Sequence, residues 1–184
     1  MRILGLSGSL RQDSHNTRLL RGLPALLGDG VELELFDALA EIPPYSEDSE
    51  HDTPLAVAAL KAAIASADAV IVATPEYNGS VPGALKNALD WVSRPIADTP
   101  LRGKPALVIG ASTGLFGAVW AQAEMRKVLS TIGARVVDRE LPIAQAPQAL
   151  GSDGLPVDDD AQETLSSMLT ELLELASADR LVTL

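Results

Sequence analysis

Residues 69–73, Ala-Val-Ile-Val-Ala, constrain this chain more than any other stretch. Five apolar residues, three of them β-branched and none polar, read as a strand buried on both faces, as inside a parallel sheet. Thr-Pro-Glu-Tyr-Asn-Gly-Ser-Val-Pro-Gly follows at positions 74–83, and residues 84–92 then carry Leu85, Leu89 and Val92 at helical spacing. The unit is strand, loop, helix. Ser80 is placed to cap the helix, and Pro82 is tolerated in its first turn, where no intrahelical N–H is needed. In open α/β sheets ligands bind outside the carboxyl ends of the strands, so the loop is a candidate site.

The remaining chain repeats the unit. Residues 1–6 form a short apolar strand, and residues 17–27 a helix with Leu19, Leu20, Leu23, Leu26 and Leu27 on one face. Residues 31–36 alternate as a half-exposed strand, residues 41–54 form a long acidic surface loop, and residues 55–67 an alanine-rich helix. A fourth strand covers residues 105–111. A helix over 118–132 is stopped by Gly133, and a fifth strand starts at Arg135. Residues 142–156 read as a second long loop. Asp158, Asp159 and Asp160 then open a last helix, with charge suited to its N-terminus and Leu165, Met168, Leu169, Leu172 and Leu173 turned inward. Five strands alternating with five helices specify one doubly wound α/β domain over residues 1–184, with helices on both faces of the sheet. Strand order 2-1-3-4-5 sets the loops after strands one and three side by side at the switch point.

Composition excludes several chemistries. A net charge of −11 argues against general affinity for nucleic acid or anionic membranes. With no cysteine there are no disulfides, thiolate zinc sites or thiol nucleophiles. The two histidines, His15 and His51, and the Asp158–160 run do not make a metal site, so none is expected. Ser112 lacks the G-x-S-x-G surroundings of a hydrolase nucleophile. The chain enters its first strand directly, with no signal-like start and no apolar run long enough to span a bilayer. A soluble cytoplasmic protein is expected.

The loop after strand one, residues 8–16, reads Gly-Ser-Leu-Arg-Gln-Asp-Ser-His-Asn. Immediately before a helix it offers the Ser9 and Ser14 hydroxyls, the Asn16 amide and the Arg11 guanidinium. That donor set suits a terminal phosphate monoester. The plainer reading, in which Ser14 and Asn16 only cap a helix, has no use for Arg11 or Ser9. Neither G-x-G-x-x-G nor a Walker A sequence is present.

These nine residues resemble the G-S-x-R-x-x-S-x-N phosphate loop of the NADPH-dependent FMN reductase family, flavodoxin-like quinone, chromate and azo-dye reductases. Pro75-Glu76-Tyr77-Asn78-Gly79-Ser80-Val81-Pro82-Gly83 with Leu85-Lys86-Asn87-Ala88 and Asp90-Trp91 is similar to the family's second signature. The resemblance implies a flavodoxin-like five-stranded parallel sheet and bound FMN. Its phosphate would be held by Ser9, Arg11, Ser14 and Asn16, with the His15 backbone N–H, and its ring lined by Pro75, Glu76, Tyr77, Asn78 and Gly79. Ser112, Thr113 and Gly114 resemble a third flavin-contacting loop. The implied activity passes hydride from NADPH or NADH to flavin N5 and then, by ping-pong, to a quinone, free flavin, azo dye or metal oxyanion. The chemistry is flavin-centred, so no catalytic acid or base is assigned, and Tyr77 is read as an acceptor-pocket residue. The alternative is an electron-transfer or FMN-carrier protein without NAD(P)H turnover, although flavodoxin phosphate loops are threonine-rich and normally lack an arginine.

Assembly is expected to be a homodimer at minimum, and the resemblance leaves open a tetramer through a second interface. Leu85, Leu89, Trp91 and Val92 point in more apolar directions than one packed face needs, which sets that helix at the subunit boundary, the alternative being that Trp91 closes the chain's own core. The two long loops are long enough to reach a neighbour. In one place the pattern departs. Many relatives carry Gly-Gly and then an arginine used in subunit contacts, where this chain has Gly117-Ala118-Val119-Trp120, so the departure bears on the tetramer.

Overall fold

The computed structural model describes residues 1–182, and residues 183–184 of the expected 1–184 domain lie outside the described residues. Strands β1 (Arg2–Ser7), β2 (Glu32–Leu35), β3 (Ala69–Ala73), β4 (Pro105–Ala111) and β5 (Arg135–Val136) lie in the order β2-β1-β3-β4-β5. All neighbours are parallel, with Ile3 opposite both Leu33 and Ala69, and Val70 opposite Ala106. β3 and β4 are buried along their whole length, as expected of apolar runs without alternation. β2 stays half exposed at the edge, and its Glu-Leu-Glu-Leu alternation shows it.

The pleat divides the core in two. On one face Leu4, Val70, Val72 and Val108 pack against α2 (Leu55–Ser66), α3 (Gly83–Val92) and α4 (Val119–Ile132). On the other, Ile3, Ile71, Leu107 and Ile109 meet α1 (His15–Gly22) and the long terminal helix (Asp159–Val182). Leu165, Met168, Leu169 and Leu172 of that helix are buried as expected, with Leu173 at the margin. Gly133 ends α4 at φ 107°.

Several sequence expectations need correction. The first helix stops at Gly22 and runs on as a 3₁₀ turn over Leu23–Ala25, where Pro24 denies the α-helical pattern a donor. The fifth strand is interrupted. Residues 138–141 leave the sheet, and β6 (Pro142–Ile143) returns to pair with Gly110 and Ala111. The stretch 142–156 is therefore not one loop, since it holds β6, the short helix α5 (Ala146–Ala149) and a bridge from Leu150 to Pro156. Ser80 does not cap α3: Pro82 occupies the cap position, and the Ser80 hydroxyl donates to Glu124 Oε2 at 2.7 Å.

The largest correction concerns Trp91. It is 1% exposed within its own chain, its Nε1–H donates to Pro43 O at 2.8 Å, and Tyr45 meets its ring edge-on at 5.2 Å. Leu85, Leu89 and Val92 are fully buried too, in the core cluster that α3 shares with the sheet. Asn87 fastens Pro43 and Tyr45 to α3 by accepting from Tyr45 N–H and donating to Pro43 O. The apolar sides of α3 thus serve the chain's own core, not a subunit boundary. Pro43 and Tyr45 of the acidic stretch pack on α3, while residues 47–49 and 51–53 stay exposed.

Candidate functional site

Three loops meet at the carboxyl ends of β1, β3 and β4. Gly8 continues β1 and donates its N–H to Ala73 O at 2.8 Å. A Cβ on Gly8 would come within 2.8 Å of Leu85 Cδ2 and 3.2 Å of Pro75 Cδ, so only glycine lets the first two loops approach so closely. The third loop is tied in by Asn16, whose buried amide donates to Ala111 O and accepts from Ala111 N–H, both at 2.9 Å. The result is a cleft lined by Ser9, Arg11, His15, Asn16, Pro75, Glu76, Tyr77, Ser112 and Thr113.

Nine of the thirteen expected site residues line this one cleft. Asn78 and Gly79 form the tip of the second loop, and Gly114 follows Thr113 on the third. Ser14 sits behind the phosphate loop as the α1 N-cap, its Oγ accepting from Thr17 N–H at 3.1 Å. Its hydroxyl hydrogen remains available to a ligand. The Asn16 amide is engaged on both polar atoms by Ala111, so what Asn16 offers a ligand is its backbone N–H. That group and the N–H of His15 have no acceptor among the described residues, as the first turn of a helix requires. The Arg11 side chain likewise has no hydrogen-bond or ion-pair partner among the described residues, in a chain of net charge −11.

His15 stands apart. Its Nδ1 is buried and finds no partner among the described residues, a condition that costs about 1–3 kcal/mol in a folded protein. Burial, then the charges of Arg18 and Arg11, hold its imidazole below the ordinary histidine range.

The second loop is braced rather than open. Tyr77 and Ser80 exchange backbone hydrogen bonds of 3.0 and 3.2 Å around Asn78 (φ 54°) and Gly79 (φ 74°). Two positive-φ central residues make the Asn-Gly turn that closes tight hairpins. The Glu76 carboxylate caps α4, accepting from Trp120 and Ala121 N–H at 3.1 and 3.2 Å. Glu124 on α4 returns the brace by accepting from Ser80 Oγ–H and, at 3.3 Å, from Val81 N–H. The N–H groups of Glu76, Asn78 and Gly79 have no acceptor among the described residues.

Sequence reasoning missed the rim. Tyr77 (48% exposed), Phe116 (60%) and Trp120 (50%) are exposed together beside the cleft, with the Phe116 and Trp120 rings 4.8 Å apart. The chain has only six aromatic residues, and the other three pack into the core, so this clustering is a feature of the site. The sequence sign was Trp120 itself, in the Gly117-Ala118-Val119-Trp120 stretch singled out above. Larger hollows lie between α3 and α4 and at the amino-terminal edge of the sheet, but neither is lined by any residue of the three loops. Among the described residues no group of three or more His, Asp or Glu is placed to hold a metal ion, and no helix is long and apolar enough to cross a membrane.

A parallel sheet of this order, with a phosphate-type loop after β1 and a ring-type loop after β3, defines a flavodoxin-like protein of the FMN-binding kind. Comparison with known proteins makes this specific. The model of the NADPH-dependent FMN reductase family matches residues 1–148. An NAD(P)H-dependent FMN reductase of Pseudomonas aeruginosa is 40% identical over 174 residues, 94% of this chain and 93% of that protein. A 2-hydroxy-1,4-benzoquinone reductase of a Burkholderia species is 35% identical over 92% of each chain. Among solved structures, FerB, a flavoenzyme NAD(P)H:(acceptor) oxidoreductase from Paracoccus denitrificans, superposes with a TM-score of 0.84 at 35% identity, covering 96% of this chain and 97% of that one. The chain belongs to the NADPH-dependent FMN reductase family. It is an FMN-dependent NAD(P)H oxidoreductase.

Proposed function

We propose that this chain, as one domain, holds FMN across the carboxyl edge of its sheet and reduces a small-molecule acceptor at the expense of NADPH or NADH. Bound FMN supplies a ring that takes hydride from a nicotinamide and yields it to the acceptor. The residues of the chain bind and orient. Arg11, the Ser9 and Ser14 hydroxyls and the N–H groups of His15 and Asn16 receive the phosphate; Pro75, Glu76, Tyr77, Asn78 and Gly79 form the wall beside the ring, and Ser112, Thr113 and Gly114 close its other side. The N–H groups at positions 76, 78 and 79, which have no acceptor among the described residues, would be the donors offered to the polar edge of a bound flavin ring.

One observation carries this reading: Arg11, without a partner among the described residues of a strongly acidic chain, stands in the cleft where three loops meet. It suits a phosphate dianion better than any group of the protein itself. Nicotinamide and acceptor use the same open face in turn, giving ping-pong turnover. Tyr77, Phe116 and Trp120 offer planar acceptors an aromatic wall, and the names of the relatives favour quinones and flavins as that acceptor. None of the relatives above is named as an electron-transfer module. The site works in the cytoplasm and in a homodimer, with a second copy near the same rim; a tetramer adds a second interface.

The test is direct. Flavin released by heat should be FMN, anaerobic NADPH should bleach its spectrum, and a quinone should restore it. Recovery of FAD, or no flavin bound at all, overturns the reading. Light scattering at low micromolar concentration tests the assembly, which a purely monomeric mass contradicts.

A further inference from the structure

We infer that the His15 side chain is itself a ligand of the FMN phosphate, through Nδ1, in place of the Asn16 amide that the fold has committed to Ala111. This rests on the FMN reading above. In the pattern Gly-Ser-x-Arg-x-x-Ser-x-Asn, position 15 is open, so the pattern assigns no role to its side chain.

Three observations converge on it. His15 is the first residue of α1, at the end of the phosphate loop, and lines the cleft with Ser9 and Arg11. Its Nδ1 is buried without a partner among the described residues, whereas buried polar atoms are almost always paired, so that atom is set for a group that arrives from outside the chain. The amide expected to serve the phosphate has both of its polar atoms engaged at 2.9 Å by Ala111. The loop is one side-chain donor short, and His15 supplies it.

The charges around His15 give the exchange a direction. Arg18 on its own helix and Arg11 on the preceding loop oppose its protonation; Glu76 and Tyr77 line the same cleft from the second loop, while the third loop brings only the hydroxyls of Ser112 and Thr113. A phosphate dianion against Nδ1 reverses the balance, because an opposite charge at contact favours the imidazolium. Binding then takes up a proton at His15, and the imidazolium donates from Nδ1 to a phosphate oxygen.

The experiment is FMN affinity, read by flavin fluorescence, from about pH 6.5 to 8.5, where the phosphate is already largely the dianion. The parent should bind FMN more weakly at the upper end, by about tenfold where the bound phosphate lifts the His15 imidazole at least a unit above the lower end of this range. His15→Leu should lose about tenfold or more at the lower pH, as for a hydrogen bond to a charged group. His15→Asn, which keeps a donor but cannot titrate, should recover part of the affinity and show no slope. Riboflavin, which lacks the phosphate, should bind the parent without the slope. That comparison needs no variant and holds even if a substitution unfolds the loop. A parent slope shared by riboflavin or by His15→Asn overturns the inference and leaves the FMN reading standing. A parent that binds no FMN overturns both.

Discussion

The two loops that form the site are built in opposite ways. The loop after β3 completes itself: Tyr77 and Ser80 pair across the turn, Glu76 caps α4, and Glu124 reaches back to Ser80 and Val81. The loop after β1 leaves the Arg11 guanidinium, the His15 Nδ1 and the first N–H groups of α1 without partners among the described residues. A wall against a flat ring has to exist before the ring arrives, because misplacing it costs orientation. A phosphate cradle behaves differently. Its donors must stay unpaired until the anion is present, since any internal partner would compete with it.

If this contrast is right, changes to the wall should damage stability and changes to the cradle should damage binding. The largest effect belongs to the foundation of the wall. Trp91 anchors α3, the helix into which the second loop runs, so Trp91→Ala should destabilise the protein by about 3–5 kcal/mol in denaturant melts. A loss below about 1 kcal/mol would mean that Trp91 is not the core residue its burial indicates.

Next comes the cradle. Arg11→Ala should weaken FMN binding by about ten- to a hundred-fold, the loss expected for a charge-assisted bond of about 1.5–3 kcal/mol. Stability of the flavin-free protein should stay within about 0.5 kcal/mol. Equal FMN binding by parent and variant would reduce Arg11 to an ordinary surface residue.

Glu76→Ala removes a helix cap from the wall and should cost about 0.5–2 kcal/mol of stability, with FMN affinity changing less than in Arg11→Ala. The reverse order of the two effects would place Glu76 in the cradle's class.

The smallest effect is a pH dependence of the flavin-free fold. His15 is held below its ordinary value, so the unfolded chain takes up a proton first as pH falls through about 6.5. Stability from the neutral imidazole is thus fully present above that pH and is lost as pH drops toward the lowered folded value. The melting temperature of the parent should fall more between about pH 7 and 5.5 than that of His15→Asn. Identical curves would remove His15 from the account of unpaired groups.

Much of this molecule can be read from local pattern. Residues 69–73 and 105–111 are strands because an unbroken apolar run with β-branched residues has no better place than the middle of a parallel sheet. The loop over residues 8–16 reads as a phosphate cradle because so dense a donor set before a helix has little other use. The Asn78-Gly79 pair carries a local turn signal that sequence reasoning did not use, since both residues tolerate positive φ. Tertiary structure alone decided where long or two-ended side chains were directed. Trp91 could face a neighbour or its own core, and the packing of Pro43 and Tyr45 on α3, with Pro43 O at its indole N–H, settled it. The Asn16 amide could meet a phosphate or a backbone, and β4 brought Ala111 within reach of both its atoms. Glu76 could serve a ring or a helix end, and the approach of α4 chose the helix end. Propensity and periodicity are properties of neighbours in the chain, so the sequence carries them openly. A side chain's partner is set by groups 44 to 95 residues away, and only packing brings those together.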